Sequence, residues 1–200
     1  MRARACAAVA SGIVFGIPGT PVASAQQPPI HARIVDSVEL DATSTARVHC
    51  YKHARYVVVE RELTDQVGAD VFIRRRAVGR CDADSLPGDI VIRNEWAEYF
   101  AGLRGDVLIL DSGTGPDVRG LIVIDLRTRR HLLETSYVEL AVGPDTASIG
   151  VWNGFYLDRP ARGCKPPIGK LDPGIDSLFT LDLRTGDMRD AGRTRCASRQ

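Results

Sequence analysis

Val107-Leu108-Ile109-Leu110-Asp111-Ser112-Gly113-Thr114-Gly115-Pro116-Asp117-Val118-Arg119-Gly120-Leu121-Ile122-Val123-Ile124-Asp125-Leu126 holds two apolar runs of strand length, separated by ten residues of turn formers. The runs are too short for a buried helix and rich in β-branched residues. Gly and Asp bound them, so they predict strands. The same pattern recurs outward along the chain. Tyr56 to Glu60, Ala69 to Ile73, Asp89 to Ile92, Leu132 to Leu140 and Ser177 to Leu183 are further short apolar runs between Gly, Pro, Asp and Asn. No stretch sustains a long 3.6-residue period. The expectation is an all-β fold, a small β-sandwich or barrel of antiparallel hairpins.

One stretch predicts a short helix. Asn94-Glu95-Trp96-Ala97-Glu98-Tyr99-Phe100-Ala101-Gly102 offers Asn94 as cap and Gly102 as stop, with Trp96, Tyr99 and Phe100 on one face as core packing.

The N-terminus carries the three regions of an export signal in order. Arg2 and Arg4 are followed by the short apolar run Cys6 to Ile17, then by Pro18, Gly19 and Pro21. Ala23-Ser24-Ala25 has the small-x-small form of a processing site. The domain reading is therefore a signal peptide over 1–25, a flexible lead-in over 26–33 and a single β domain over 34–200. The mature product is expected to be soluble, periplasmic or secreted, with no membrane span, since no later segment approaches the ~20 apolar residues required.

The precursor has 26 basic and 25 acidic side chains. Losing Arg2 and Arg4 leaves 24 against 25, a formal charge of −1. Such a balance supplies no overall field toward nucleic acid or anionic lipid, and no nucleic-acid partner is expected.

Cys50, Cys81, Cys164 and Cys196 remain after processing, and an even number in an exported chain predicts disulfides. Three pairings are possible. Cys50–Cys81 with Cys164–Cys196 is favoured, because each bond then ties neighbouring strands within one half of the domain. Each would close a loop worth roughly 3–4 kcal/mol in the chain-entropy model. No cysteine pair has C-x₂₋₄-C spacing, and His49, Cys50 and His53 form only a partial cluster, so no metal or other cofactor is expected. Cys81 to Asp89 contains three carboxylates, yet the fifth and twelfth positions of a calcium loop would be Leu86 and Arg93, so it reads as a solvated acidic turn. Arg74-Arg75-Arg76, with Arg80, is the densest basic stretch. In a strand its side chains alternate and cannot form one surface.

Ile122 to Arg129 parallels Phe179 to Gly186 at an offset of 57 residues, both running through Asp-Leu-Arg-Thr. The pair resembles the strand-turn-strand edge of β-propeller blades, although 57 residues exceeds the ~40–45 of a blade. Two similar hairpins in a small β domain are the main expectation, and a propeller fragment the lesser one.

Asp111-Ser112-Gly113-Thr114 at the end of an apolar strand resembles the catalytic turn of aspartic proteases. That resemblance implies a homodimer in which two Asp111 carboxylates share a proton and activate water, with Ser112 and Gly113 holding the turn. No apolar-apolar-Gly flap element follows it, only Ser148-Ile149-Gly150. Read on its own residues, the stretch is a glycine-bearing polar loop on a rigid scaffold, where binding residues usually lie. Its candidate contacts are Ser112, Thr114, Asp117 and Arg119. A Ser-Gly loop on a compact β body is also similar to the one that periplasmic lysozyme inhibitors present to an enzyme's cleft. The aromatic and lysine contacts of those families have no counterpart here. No G-x-S-x-G elbow, P-loop, dinucleotide fingerprint or H-E-x-x-H occurs. The functional expectation is a non-enzymatic recognition or inhibitor-type module for a protein, glycan or envelope component, with the aspartic peptidase as the alternative.

Overall fold

The computed structural model describes residues 46–78, 80–115, 118–141, 147–165 and 171–199. The expected signal peptide and lead-in, and Asp117, lie outside them. Among the described residues, twelve strands form three four-stranded antiparallel meanders, taken in chain order. Sheet 1 holds β1 (Ala46–Lys52), β2 (Tyr56–Leu63), β3 (Ala69–Arg75) and β4 (Ile90–Ile92). Sheet 2 holds β5 (Glu98–Arg104), β6 (Val107–Ser112), β7 (Arg119–Asp125) and β8 (Arg130–Tyr137). Sheet 3 holds β9 (Glu139–Ala141), β10 (Ser148–Tyr156), β11 (Asp172–Asp182) and β12 (Met188–Arg199). No helix among the described residues is long and apolar enough to cross a membrane.

Sheet 2 is the middle layer, which explains the uninterrupted apolar runs of β6 and β7. Successive side chains in a strand point to opposite faces. Leu108, Leu110 and Ile124 therefore pack with Tyr56, Val58, Val71 and Ile73 of sheet 1. Ile109, Leu121 and Val123 pack with Ile149, Val151 and Leu181 of sheet 3. A strand buried on both faces has no use for alternation, and each fully buried aliphatic side chain contributes about 1.5–3 kcal/mol.

The outer face of sheet 1 is closed by its own loop. Val48, Cys50, Val57, Val59 and Phe72 cluster there with Cys81 and Ala83. Cys50–Cys81 staples the loop down, and Cys164–Cys196 ties the segment after β10 to β12, so the favoured pairing forms. Arg74 lies beneath the loop at 1% exposure. It donates to the carbonyls of Arg80 (2.6 Å) and Asp84 (3.0 Å) and pairs with Asp89 at 3.0 Å. Alternation puts Arg74 inside and Arg75 outside, and Arg76 is exposed because the chain leaves β3 there in a 3-10 turn. The acidic turn is not simply solvated, because Asp82, Asp84 and Asp89 all approach arginines.

The helix expected from Asn94 does not form. Asn94 Oδ1 does accept the Ala97 amide, at 3.1 Å, as a cap would. Glu98 Oε2 then takes the amides of Glu95 and Trp96, each at 2.8 Å, and Ala97 turns left-handed at φ 61°. That geometry ends a helical turn, and the chain leaves as β5. Alternation within β5 sends Phe100 into the core shared with sheet 1 and Tyr99 to the opposite face, while Trp96 stays outside in the turn that precedes the strand, so the three aromatics share no face.

The internal repeat marks equivalent turns in sheets 2 and 3. Asp125 Oδ1 accepts the Arg127 amide and Asp182 Oδ1 the Arg184 amide, both at 2.8 Å. Arg129 N donates to Asp125 O at 2.7 Å and Gly186 N to Asp182 O at 2.8 Å. The left-handed position is Arg129 (φ 59°) in one turn and Gly186 (φ 82°) in the other. Consecutive four-stranded sheets packed face to face are also how propeller blades are arranged. Here there are three, and no buried cluster among the described residues joins sheet 1 to sheet 3.

Candidate functional site

The β2–β3 loop, the β4–β5 link and the start of the β6–β7 loop meet at one end of the stack. Asn94 Nδ2 donates to Val67 O at 2.8 Å, Gly113 N to Ala97 O at 3.1 Å, and Ser112 Oγ to Trp96 O at 3.0 Å. Gly68 has no room for a side chain, since a Cβ there would collide with Asn94 Oδ1 and the Ala97 backbone. Two exposed apolar side chains project from this locked junction, Trp96 at 77% and Val67 at 59%. Asp65, Gln66, Arg93, Glu95 and Thr114 are exposed around them. A Trp held outward by a backbone in a costly conformation is over-determined by its surroundings, the condition under which strain persists. Ala97→Gly should stabilise the fold by about 1 kcal/mol, by removing the left-handed penalty. Urea midpoints of the two proteins would measure it.

Beneath the junction the Asp111 carboxylate is engaged. Arg119 Nε donates to its Oδ1 at 2.6 Å, and the Arg119 guanidinium lies 5.8 Å from the Tyr99 ring centre. The Tyr99 hydroxyl accepts the Gly68 amide at 2.9 Å. Burial, and then the adjacent Asp111 carboxylate, push the Tyr137 phenol well above its ordinary range. The Asp111 carboxylate is thus neutralised by a guanidinium where a shared-proton dyad needs a second carboxyl.

Deeper, between sheets 1 and 2, Glu60 is 4% exposed. Its Oε1 accepts the Phe100 amide at 2.8 Å and its Oε2 the Tyr51 hydroxyl at 2.9 Å. Burial raises its carboxyl to about 7, against the opposing pull of those hydrogen bonds. His49 faces Glu62 at 3.7 Å, whereas His53, lowered by burial, lies edge-on to Phe100 at 5.9 Å, and Cys50 is in its disulfide. The partial metal cluster is therefore dispersed, and no group of three His, Cys, Asp or Glu among the described residues is placed to hold an ion.

Of the loop residues picked from sequence, Ser112 fixes the Trp96 carbonyl, Thr114 is exposed, and Arg119 holds Asp111 rather than facing outward alone. Trp96 and Val67 were not legible as site residues. The helical reading placed Trp96 in the core, and nothing in the β2–β3 loop marks Val67. The available signal was Glu98, an acid placed to take the amides of a preceding turn. Comparisons with protein-family models, with curated proteins and with solved structures found no match for this chain.

Proposed function

We propose that this chain is an exported recognition module that binds a protein partner through the Trp96 end of the stack. The carrying observation is the exposure of the apolar side chains of Trp96 and Val67, among exposed polar residues, on a junction tied by side-chain and backbone hydrogen bonds. An aromatic anchor ringed by polar residues is the usual form of a protein-binding hot spot, and a rigid anchor loses little entropy on docking. A projecting anchor suits a partner with a concave apolar cleft, the inhibitor-type mode. Export is supported by the signal-like N-terminus and by two disulfides, which persist in oxidising compartments. The peptidase reading draws no comparable support, because Asp111 is paired to Arg119.

The test is capture from envelope extract by the oxidised protein, with Trp96→Ala and Phe155→Ala in parallel. Trp96→Ala is expected to weaken capture about 30-fold, the 2 kcal/mol scale of a hot spot. It should move stability by less than about 0.5 kcal/mol, as for other exposed positions. Phe155, exposed on sheet 3, should be neutral in both. Equal capture by wild type and Trp96→Ala overturns the assignment.

A further inference from the structure

The opposite end of the stack carries a different surface. The β1–β2, β5–β6, β7–β8 and β11–β12 turns and the segment after β3 converge there. Arg55 and Arg127 both reach Asp106, at 2.6 and 3.7 Å, the Leu126 amide donates to Asp106 O, and Arg76 donates to His53 O at 2.7 Å. A pocket of about 180 Å³ opens among Arg104, Arg127 and Arg184, with Asp106 and Asp125 also in its wall, joining sheet 2 to sheet 3.

The charge on this end is one-sided. Arg55, Arg76, Arg127, Arg129, Arg130 and Arg184 are all exposed. Among the described residues at the turns, Asp106, Asp125, Asp182 and Asp187 accompany them. Asp106 and Asp125 are withdrawn, each with a side chain only 13% exposed, and Asp125 and Asp182 accept turn amides. Of these four, Asp187 is exposed, as is Asp190 further along β12. The near-neutral total therefore conceals a cationic end face, with the acids turned inward and the guanidiniums outward.

A second observation is independent of charge. The equivalent β7–β8 and β11–β12 turns need a left-handed residue at the same place, and the chain uses Gly186 in one and Arg129 in the other. A left-handed non-glycine costs stability. The side chain placed there is one more guanidinium on the cationic face, and strain of this kind concentrates at functional sites.

We infer that this end face docks on an anionic lipid surface through phosphate headgroups, with the pocket beside Arg127 and Arg184 seating one of them. Turn tips from three sheets spread the arginines across the end of the molecule, which suits a plane of phosphates better than the groove-following ridge that nucleic acid requires. β6 runs from Val107 at this end to Ser112 at the other, about 17 Å at the usual rise. Docking this way holds Trp96 away from the membrane.

Sedimentation with vesicles of equal phosphatidylglycerol and phosphatidylcholine, compared with pure phosphatidylcholine, tests this with the full disulfide-bonded protein. Binding should require phosphatidylglycerol and fade as salt rises toward 0.5 M. Arg129→Gly should bind about fivefold more weakly, the effect of one surface arginine, yet melt a few degrees higher because strain is removed. Arg129→Gly with Arg130→Ser and Arg184→Ser should lose about a hundredfold. Trp96→Ala should bind vesicles as wild type does. The inference is overturned if the triple variant binds equally, if neutral vesicles serve as well, or if the arginine-dependent ligand is duplex DNA and no vesicle binds.

Discussion

Asp89→Ala is expected to lower stability by about 3–5 kcal/mol, because it strips the buried Arg74 charge of its close, buried carboxylate and leaves only the half-exposed Asp82, 4.0 Å away. The Arg74 side chain is 1% exposed, and that of Asp89 only 2%. Three backbone carbonyls also accept from Arg74, but neutral acceptors do not supply a counter-charge. Asp89 further accepts the Leu86 amide at 2.8 Å, so the turn before β4 loses its brace as well. For a domain of this size the loss corresponds to a melting point lower by about 10 °C. Arg74→Met in the Asp89→Ala background should recover part of it, because removing the orphaned charge eliminates its desolvation cost. Calorimetry on the single and double variants decides the matter. A double variant as unstable as the single one would show that the ion pair is not what holds the loop over sheet 1.

Glu60 should make the protein more stable in mild acid than at neutral pH. Its folded-state value of about 7 lies above the ordinary 4.5, so the folded protein keeps the proton through that interval while the unfolded chain has released it. The stabilisation is fully present below pH 4.5 and is lost as pH rises through 7, to a total of about 3 kcal/mol. Asp70 acts in the opposite sense. Partial burial works against its charged form, but the Asn94 amide and the Arg61 and Arg93 guanidiniums hold its carboxyl below its ordinary value. Its contribution is present above pH 3.8 and is lost as pH falls below that. Maximum stability is therefore expected at about pH 4–5. Glu60→Gln keeps an acceptor for the Phe100 amide and should flatten the curve between pH 5 and 7 while leaving its acid limb in place. Urea midpoints across pH 3–8 would show this. A wild-type curve that climbs from pH 5 to 7 would mean that Glu60 is ionised in the folded state.

The sequence disclosed the middle of this fold better than its edges. β6 and β7 were legible because burial on both faces leaves only apolar side chains, and the cysteines paired as spacing within each half suggested. β12, Met188-Arg189-Asp190-Ala191-Gly192-Arg193-Thr194-Arg195-Cys196-Ala197-Ser198-Arg199, carries no apolar run. It is an edge strand held by backbone pairing, by Cys196 and by ion pairs from Arg195 and Arg199 to Asp176. Composition cannot reveal such a strand. The stretch Asn94–Gly102 failed for a different reason. Local cap chemistry was present, but it closes a turn instead of opening a helix, and the outcome depends on Glu98 folding back onto that turn. The Asp-Ser-Gly turn was visible as a motif. Its chemistry was not, because Arg119 reaches Asp111 only once β7 is paired with β6.

The recognition role is tested most directly by placing a photo-crosslinking phenylalanine analogue at position 96 in the full chain, expressed in its native cell. The account predicts a discrete protein adduct from position 96, the same species from position 67, and none from position 155. Adducts from position 155 with silence at 96 and 67 would contradict it.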